Sequence, residues 1–566
     1  MKQIHIDINS KSNISDGSLN NPYKNISEGI KHIEKGTELI IHEGVYEPFS
    51  IYKECSGEKD NPVIIKNFNN DRVVIQGLFD EEAITVYLEN VENITLDGLE
   101  VIGGGLGIYV VSTPSIGNKT LENITIKNCI VHGVRGMHGI AVYAKNDLAP
   151  ISNLTMDNCE VYDCRLDSSE STVFNGNIDG FTICNNKIHD NNNIGIDMIG
   201  FEGKAKHSDS YKGNLYDVDF VRNGKCFNNF VYNISSFDNE AYFENPLASI
   251  KDTKGEYNLC ANGIYVDGGQ SIEIYNNFVY NSDIGLEVAT EHSPDDNELF
   301  KVSDVFAHDN VICSCFGYSG LAIGGYAKNL GFTCDCNIKN NTFIDNSIGM
   351  VIQRTKTNNI ENNIFDGSSL AIEFNHGVLE NDQINNFNNN VFVTNKTFDE
   401  YFDLNGKDLN KLMNNSLSLQ KFVDNNSSIL DGVKSKDNNL GSSYVPNKDE
   451  LDNYKLFKEV GLVGANKALK YIEDNLRTIK LSDVLKNNDN ICSYINEILK
   501  KNGLDAEVEL MKTYGPININ CLRNKDNGHI ISDTSNNEKT ILEFHLRYKY
   551  DDNSYVHKWI RNIELI

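Results

Sequence analysis

The sequence predicts an all-β chain: a right-handed parallel β-helix (solenoid) with a small C-terminal α+β appendage. Three observations carry that expectation. Between Asn123 and Phe365 one phrase recurs, an Asn-Asn step, a short apolar strand, then Gly-Ile-x-Val. Its spacing falls in the range of roughly 20–50 residues that marks solenoids. Apolar residues keep a fixed offset from each Asn, which a disordered Asn-rich tract would not do.

The recurring lines are IKNCIVHG (126–133), MDNCEVYD (156–163), CNNKIHDN (184–191), FNNFVYNI (227–234), YNNFVYNS (275–282), HDNVICSC (308–315), KNNTFIDN (339–346) and ENNIFDGS (361–368). They align a column of Asn128, Asn158, Asn185, Asn228, Asn276, Asp309, Asn340 and Asn362. Asn tolerates the left-handed corner conformation, and stacked amides can hydrogen-bond from coil to coil. A second strand follows each corner: GIYVV (107–111), GIAVY (139–143), GIDMI (195–199), GIYVD (263–267), GLEVA (285–289), GLAIG (320–324) and GMVIQ (349–353). Side chains alternate faces along a strand. Ile196, Met198, Ile264, Val266, Leu286, Val288, Leu321 and Ile323 therefore fill the interior. Asp197, Ile199, Tyr265, Asp267, Glu287, Ala289, Ala322 and Gly324 face outward.

Residues 1–50 read as the cap and first coils, with a short amphipathic helix over Ile26–Ile33. Without a cap the terminal coil would expose core and unpaired edges. Coils run from 51 to 395, and 396–450 read as irregular polar decoration along the solenoid side. Residues 451–566 form the appendage. Helical spacing covers 464–477 and 481–502, and four strand-like segments follow, ending in a hairpin. Trp559, the single tryptophan, alternates with Val556 and Ile563 as a packing residue would.

A formal net charge of −29 argues against nucleic acid or an anionic membrane as partner. No apolar run is long enough to span a bilayer and MKQIHIDINS lacks a signal-peptide pattern, so a cytoplasmic location is expected. The 13 cysteines lack disulfide-framework spacing, and Cys129, Cys159, Cys184 and Cys226 lie near Asn corners as buried free thiols would. Cys334 and Cys336 form only CxC, too little for a zinc site.

Corner spacing lengthens between Asn185, Asn228 and Asn276, on either side of the coils bearing Asp197, Asp267 and Glu287. Insertions in a solenoid leave as loops on one face and commonly build the binding site. Three such loops, 201–224, 235–262 and 291–301, are expected to wall a pocket. Coils about 4.8 Å apart and residue pairs about 6.8 Å along a strand put Asp267 diagonally about 8 Å from Asp197 and from Glu287, Cα to Cα. Acids at that spacing suit glycoside hydrolysis, and crowding pushes their proton affinities apart. Asp197, Asp267 and Glu287 are the catalytic candidates. Tyr265, Glu202, Glu291, His292, Arg354 and Arg222 are the substrate-binding candidates, with Lys225 a further cation. Surface ion pairs are the competing use of the cations. Asp179 and His138 read as turn residues.

With DGSLNNPY, GTELIIHEGVY, the Asn-Asn corners, IGIDMIGFEG, NGIYVDGG and IGLEVATEH, the chain resembles the pectate-lyase-like superfamily of right-handed β-helix carbohydrate-active proteins over residues 1–395. The resemblance implies acids working on the exposed face of one parallel sheet, and it carries no catalytic residue over by motif. The expected activity is a glycoside hydrolase without cofactor, exo-acting on oligosaccharides. The alternatives are a lyase on uronate-containing glycans whose Asp197, Asp267 and Glu287 bind Ca²⁺, and a non-catalytic glycan-binding solenoid.

Overall fold

The computed structural model describes the chain except residues 79, 237–238, 240–258, 293–298, 326, 328, 375–384, 395–400, 404–420, 424–439, 486–490, 515–517, 521–528, 532–539 and 552–553. The chain falls into two compact units, residues 1–235 with 260–445, and residues 236–259 with 446–566.

The first unit is built of three long parallel sheets, of 15, 12 and 13 strands among the described residues. Each turn of chain gives one strand to each sheet. One coil runs Ile178–Cys184, Lys187–Asn191 and Ile196–Ile199; the next runs Arg222–Phe227, Phe230–Ile234 and Asn262–Asp267. Ile183 lies over Cys226, Ile188 over Val231 and Met198 over Val266, all in parallel register. This is a parallel β-helix, wound with the right-handed crossover that parallel strands adopt. The eight residues expected inside all belong to one continuous buried cluster that fills the lumen.

The Asn-Asn step divides two jobs between its residues. All eight corner positions of the aligned column have φ between 52° and 58°, the left-handed region that Asn tolerates. The following Asn is buried and bonds along the helix axis. Asn229 Oδ1 accepts from the backbone N–H and Nδ2 of Asn186 (3.1 and 3.0 Å), and Asn229 Nδ2 donates to the carbonyl of Ile183 (3.1 Å). Asn277, Asn310, Asn341, Asn363 and Asn390 continue the ladder. Cys159 precedes it, its N–H donating to Asn186 Oδ1. Cys129, Cys159, Cys184 and Cys226 are buried free thiols.

Three differences from the sequence reading have local causes. The first helix spans only Ile26–Ile30, capped by Asn25, before the chain turns into a strand at Thr37. Coils continue past 395: Phe402–Asp403 pairs with Ile372 and Glu373, and Lys421–Val423 pairs with Val391–Val393. These strands are too short to show a period in a polar stretch. His138 and Asp179 are strand residues, opening His138–Ala144 and lying within Ile178–Cys184.

In the second unit, helix Lys448–Leu456 begins with a reciprocal Asn447–Glu450 capping box, and helices Val463–Asn475 and Ile491–Lys501 follow. Strand Ala506–Tyr514 pairs antiparallel with Thr540–Asp551, which forms the expected hairpin with Ser554–Leu565. Trp559 lies opposite His545 in that hairpin; its side chain is outside the described residues. No helix among the described residues is long and apolar enough to cross a membrane.

Candidate functional site

Five consecutive strands of the 12-stranded sheet build the site: Thr172–Gly176, Ile196–Ile199, Asn262–Asp267, Ile284–Ala289 and Ser319–Ile323. Their register aligns Val173, Asp197, Tyr265, Glu287 and Ala322 in one row, and sets Asp267 beside Ala289 two residues further along. The lumen cluster takes the alternate residues of these strands, whereas Tyr265 and Ala289 pack in a separate outer cluster with Ile194. The three acids therefore share the outer face of one sheet.

Outward does not mean exposed. Asp197, Asp267 and Glu287 are 1%, 6% and 7% exposed, and Tyr265 is 2% exposed. The chain beyond the strand ends returns to the sheet, where the Glu291 N–H meets Asp267. In the first expected loop, Asp219 accepts from the backbone N–H groups of Gly203 and Ala205 (2.6 Å each), and Phe220 packs against Phe201. Phe300, from the third loop, packs on Phe201 and Tyr216. Residues 237–238 and 240–258 of the second loop, and 293–298 of the third, lie outside the described residues, so the expected three-walled pocket does too. A shallow depression of about 250 Å³ around Lys225, Glu273 and Phe306 belongs to the 15-stranded sheet and touches none of these acids.

Burial and crowding set the protonation states. Asp197 is driven well above the carboxylate range by burial, then by Glu170, Asp267 and Glu291; its Oδ1 has no hydrogen-bond partner among the described residues. Glu287 is driven up by burial, then by Glu291 and Asp267. Glu291 is exposed at its rim, yet partial desolvation and the charge of Asp267, against His292, raise it to about 7. Asp219 rises to about 6 by burial against its two backbone hydrogen bonds. Asp267 has supports that its neighbours lack. Its Oδ1 accepts from the Glu291 N–H (3.1 Å), and its Oδ2 lies 3.3 Å from His292 Nε2. Burial pulls the His292 imidazole down, but the contact with and charge of Asp267, with Glu202 and Glu291, carry it up to about 9. His292 is therefore a cation at neutral pH, held against one carboxylate of a crowd.

The other expected residues divide. Glu202 joins the cluster, accepting from Asn175 Nδ2 (2.6 Å) and pairing with Lys204 (3.2 Å). Glu291 and His292 join it as described. Arg222 and Lys225 do not: both lie on the 15-stranded sheet, paired with Asp179 and Glu273, so they are taken up by ion pairs on another face. Arg354 is corrected likewise, since it donates to the Leu330 carbonyl and lies over the Phe332 ring of the preceding coil. The sequence reading missed Glu170, which burial, then Glu202, Asp267 and Glu291, raise to about 8. It also misplaced His138. Burial holds that imidazole down, to about 4; its neutral ring donates from Nδ1 to the Glu170 carbonyl (3.1 Å) and accepts at Nε2 from the Tyr143 hydroxyl (2.8 Å).

The chain is 32% identical over 406 residues to the uncharacterised protein YwoF of Bacillus subtilis (strain 168), an alignment covering 67% of this chain and 78% of YwoF. The chain belongs to the YwoF family. No protein-family model matches it. Among solved structures it is similar to pectate lyase Pel9A, at 13% identity and a TM-score of 0.37, over 72% of this chain and 81% of that one. It is also similar to the catalytic unit of a GH87 α-1,3-glucanase from Streptomyces thermodiastaticus strain HF3-3, at 10% identity and a TM-score of 0.40, over 71% and 65%. The parallel β-helix of this YwoF-family chain rests on its own strand pairing.

Proposed function

We propose that this YwoF-family chain is a carbohydrate-active enzyme, a glycoside hydrolase that works from the acid cluster on its 12-stranded sheet. One observation supports this above the rest: a single carboxylate, Asp267, is braced by a cation and a backbone N–H, while its buried neighbours Asp197 and Glu287 are pushed towards their protonated forms. Glycoside hydrolysis needs such a difference between acids of one kind. Asp267 is the base or nucleophile. Glu291, at about 7, or Glu287 gives its proton to the glycosidic oxygen as the bond to the anomeric carbon breaks. Water supplies the hydroxyl of the new reducing end and returns the proton. Asp197 and Glu170, protonated, donate hydrogen bonds to sugar hydroxyls.

The lyase alternative needs a base to take the proton α to a uronate carboxyl. The cation nearest the centre, His292, holds its proton at neutral pH and is no base. The exo-acting preference for oligosaccharides rested on the three-loop wall and goes no further.

Incubation with a polysaccharide panel, with and without EDTA, tests this reading. Saturated sugars released by wild type and not by Asp267→Asn are the expected result. Unsaturated, ultraviolet-absorbing products, or full activity in Asp267→Asn, would overturn it.

A further inference from the structure

The acid cluster is one end of a longer surface. Four strands that precede it in the same sheet, Phe49–Tyr52, Ile84–Glu89, Leu106–Ser112 and His138–Ala144, carry Tyr52, Tyr87, Tyr109 and Tyr143. The register sets Tyr87 beside Tyr109, then Ala141, Val173 and Asp197, so the rings and the acids share one outer face. Successive rings are 6.0, 5.9 and 5.5 Å apart between centroids, tilted or edge-on. From Tyr87 to Asp197 is four coils, about 19 Å at the spacing of neighbouring strands.

Exposure falls along the row, from 48% at Tyr52 to 9% at Tyr143. Tyr143 joins the row to the acids: its hydroxyl meets His138, and Lys204, paired with Glu202, lies 5.1 Å over its ring. Polar groups are interleaved with the rings. The Tyr87 hydroxyl donates to Glu89 (2.8 Å), and half-buried Lys145 hangs 5.7 and 5.5 Å from the rings of Tyr109 and Tyr143. Apolar ring faces beside fixed polar groups, in a line that ends at bond-cleaving acids, match the two-sided chemistry of a sugar chain. Its C–H faces stack and its rim hydroxyls hydrogen-bond. A protein helix would leave the polar groups unmatched.

Resting on the hydrolase reading, we propose that Tyr52, Tyr87, Tyr109, Tyr143 and Lys145 form a run of sugar-stacking subsites for one arm of a glycan chain whose cleaved bond lies at the acid cluster. The substrate class is then a polysaccharide or long oligosaccharide, and chains too short to leave the acids lose this contribution.

Affinity electrophoresis tests it, through gels containing laminarin, xylan, carboxymethylcellulose, polygalacturonate or dextran, with the full-length chain carrying Asp267→Asn so that the glycan stays intact. Retardation in at least one gel is expected. Adding Tyr87→Ala and Tyr109→Ala should weaken it by at least about tenfold with an unchanged circular-dichroism spectrum, because buried aromatic anchors carry most of such contacts. If that variant misfolds, Tyr52→Ala and Lys145→Ala carry the same expectation. Retardation in no gel, or equal retardation of the variants, overturns the subsites. Either result leaves the hydrolase reading to its own test, product release by the wild type.

Discussion

Replacing Glu170 by Gln should make the protein more stable at alkaline pH and change little at acidic pH. Glu170 is largely shielded from solvent, and that desolvation, then the charges of Glu202, Asp267 and Glu291, raises it from the ordinary 4.5 to about 8. Because the folded protein holds this proton more tightly than the unfolded chain, stability is fully present below about pH 4.5 and falls as pH rises towards 8. At about 1.4 kcal/mol for each pH step of one, ionising Glu170 in the folded state costs about 3–5 kcal/mol. Gln keeps the shape and removes the ionisation. Urea unfolding of both proteins at pH 5 and pH 9 measures the difference. The midpoints should nearly coincide at pH 5, and the variant should gain about 3–5 kcal/mol over wild type at pH 9. A constant difference at the two values, or a variant weaker at pH 9, would show that Glu170 ionises freely in the folded protein and that the cluster is solvated.

Asn277→Ala should destabilise the helix by about 3–6 kcal/mol in urea, because it strips buried partners from Asn229 N–H, Asn229 Nδ2, the Cys226 carbonyl and Asn310 Oδ1. A loss under about 1 kcal/mol would mean that the ladder is not part of the stability. Asp267→Asn and Glu287→Gln should each keep the circular-dichroism spectrum and lower turnover about 10²–10⁴-fold on whichever panel glycan the wild type cleaves. His292→Gln removes a cation whose stabilisation is fully present below about pH 6.5 and disappears as pH rises through about 9. Its urea midpoint should fall below wild type at pH 6 and meet it above pH 9; equal midpoints at pH 6 would remove the ion pair with Asp267.

The fold and the row of acids were legible because two periodicities lock together. A corner residue at φ near 55° fixes where each strand begins, and the two-residue alternation then assigns every following side chain to lumen or outer face. Asp197, Tyr265 and Glu287 are neighbours in space for that reason alone. The same logic reaches Tyr87 and Tyr109, which the sequence reading left out by starting the outward row at Asp197. Glu170 was hidden by a different cause. The strand after it reads TVFNG instead of Gly-Ile-x-Val, so its coil offers no phrase to align.

What no periodicity can supply is the cover. Register places Asp267 on the outer face, but the hydrogen bond from Glu291 N–H and the contact with His292 come from a chain segment beyond the strand's end, where alternation stops. That segment decides the chemistry. Without it Asp197, Asp267 and Glu287 are three similar acids whose roles could be exchanged; with it one carboxylate has a cation and a backbone donor, and its neighbours are left to bind protons. The asymmetry that the proposed hydrolysis calls for is therefore made by two residues that leave the sheet, on a platform the repeat had already aligned.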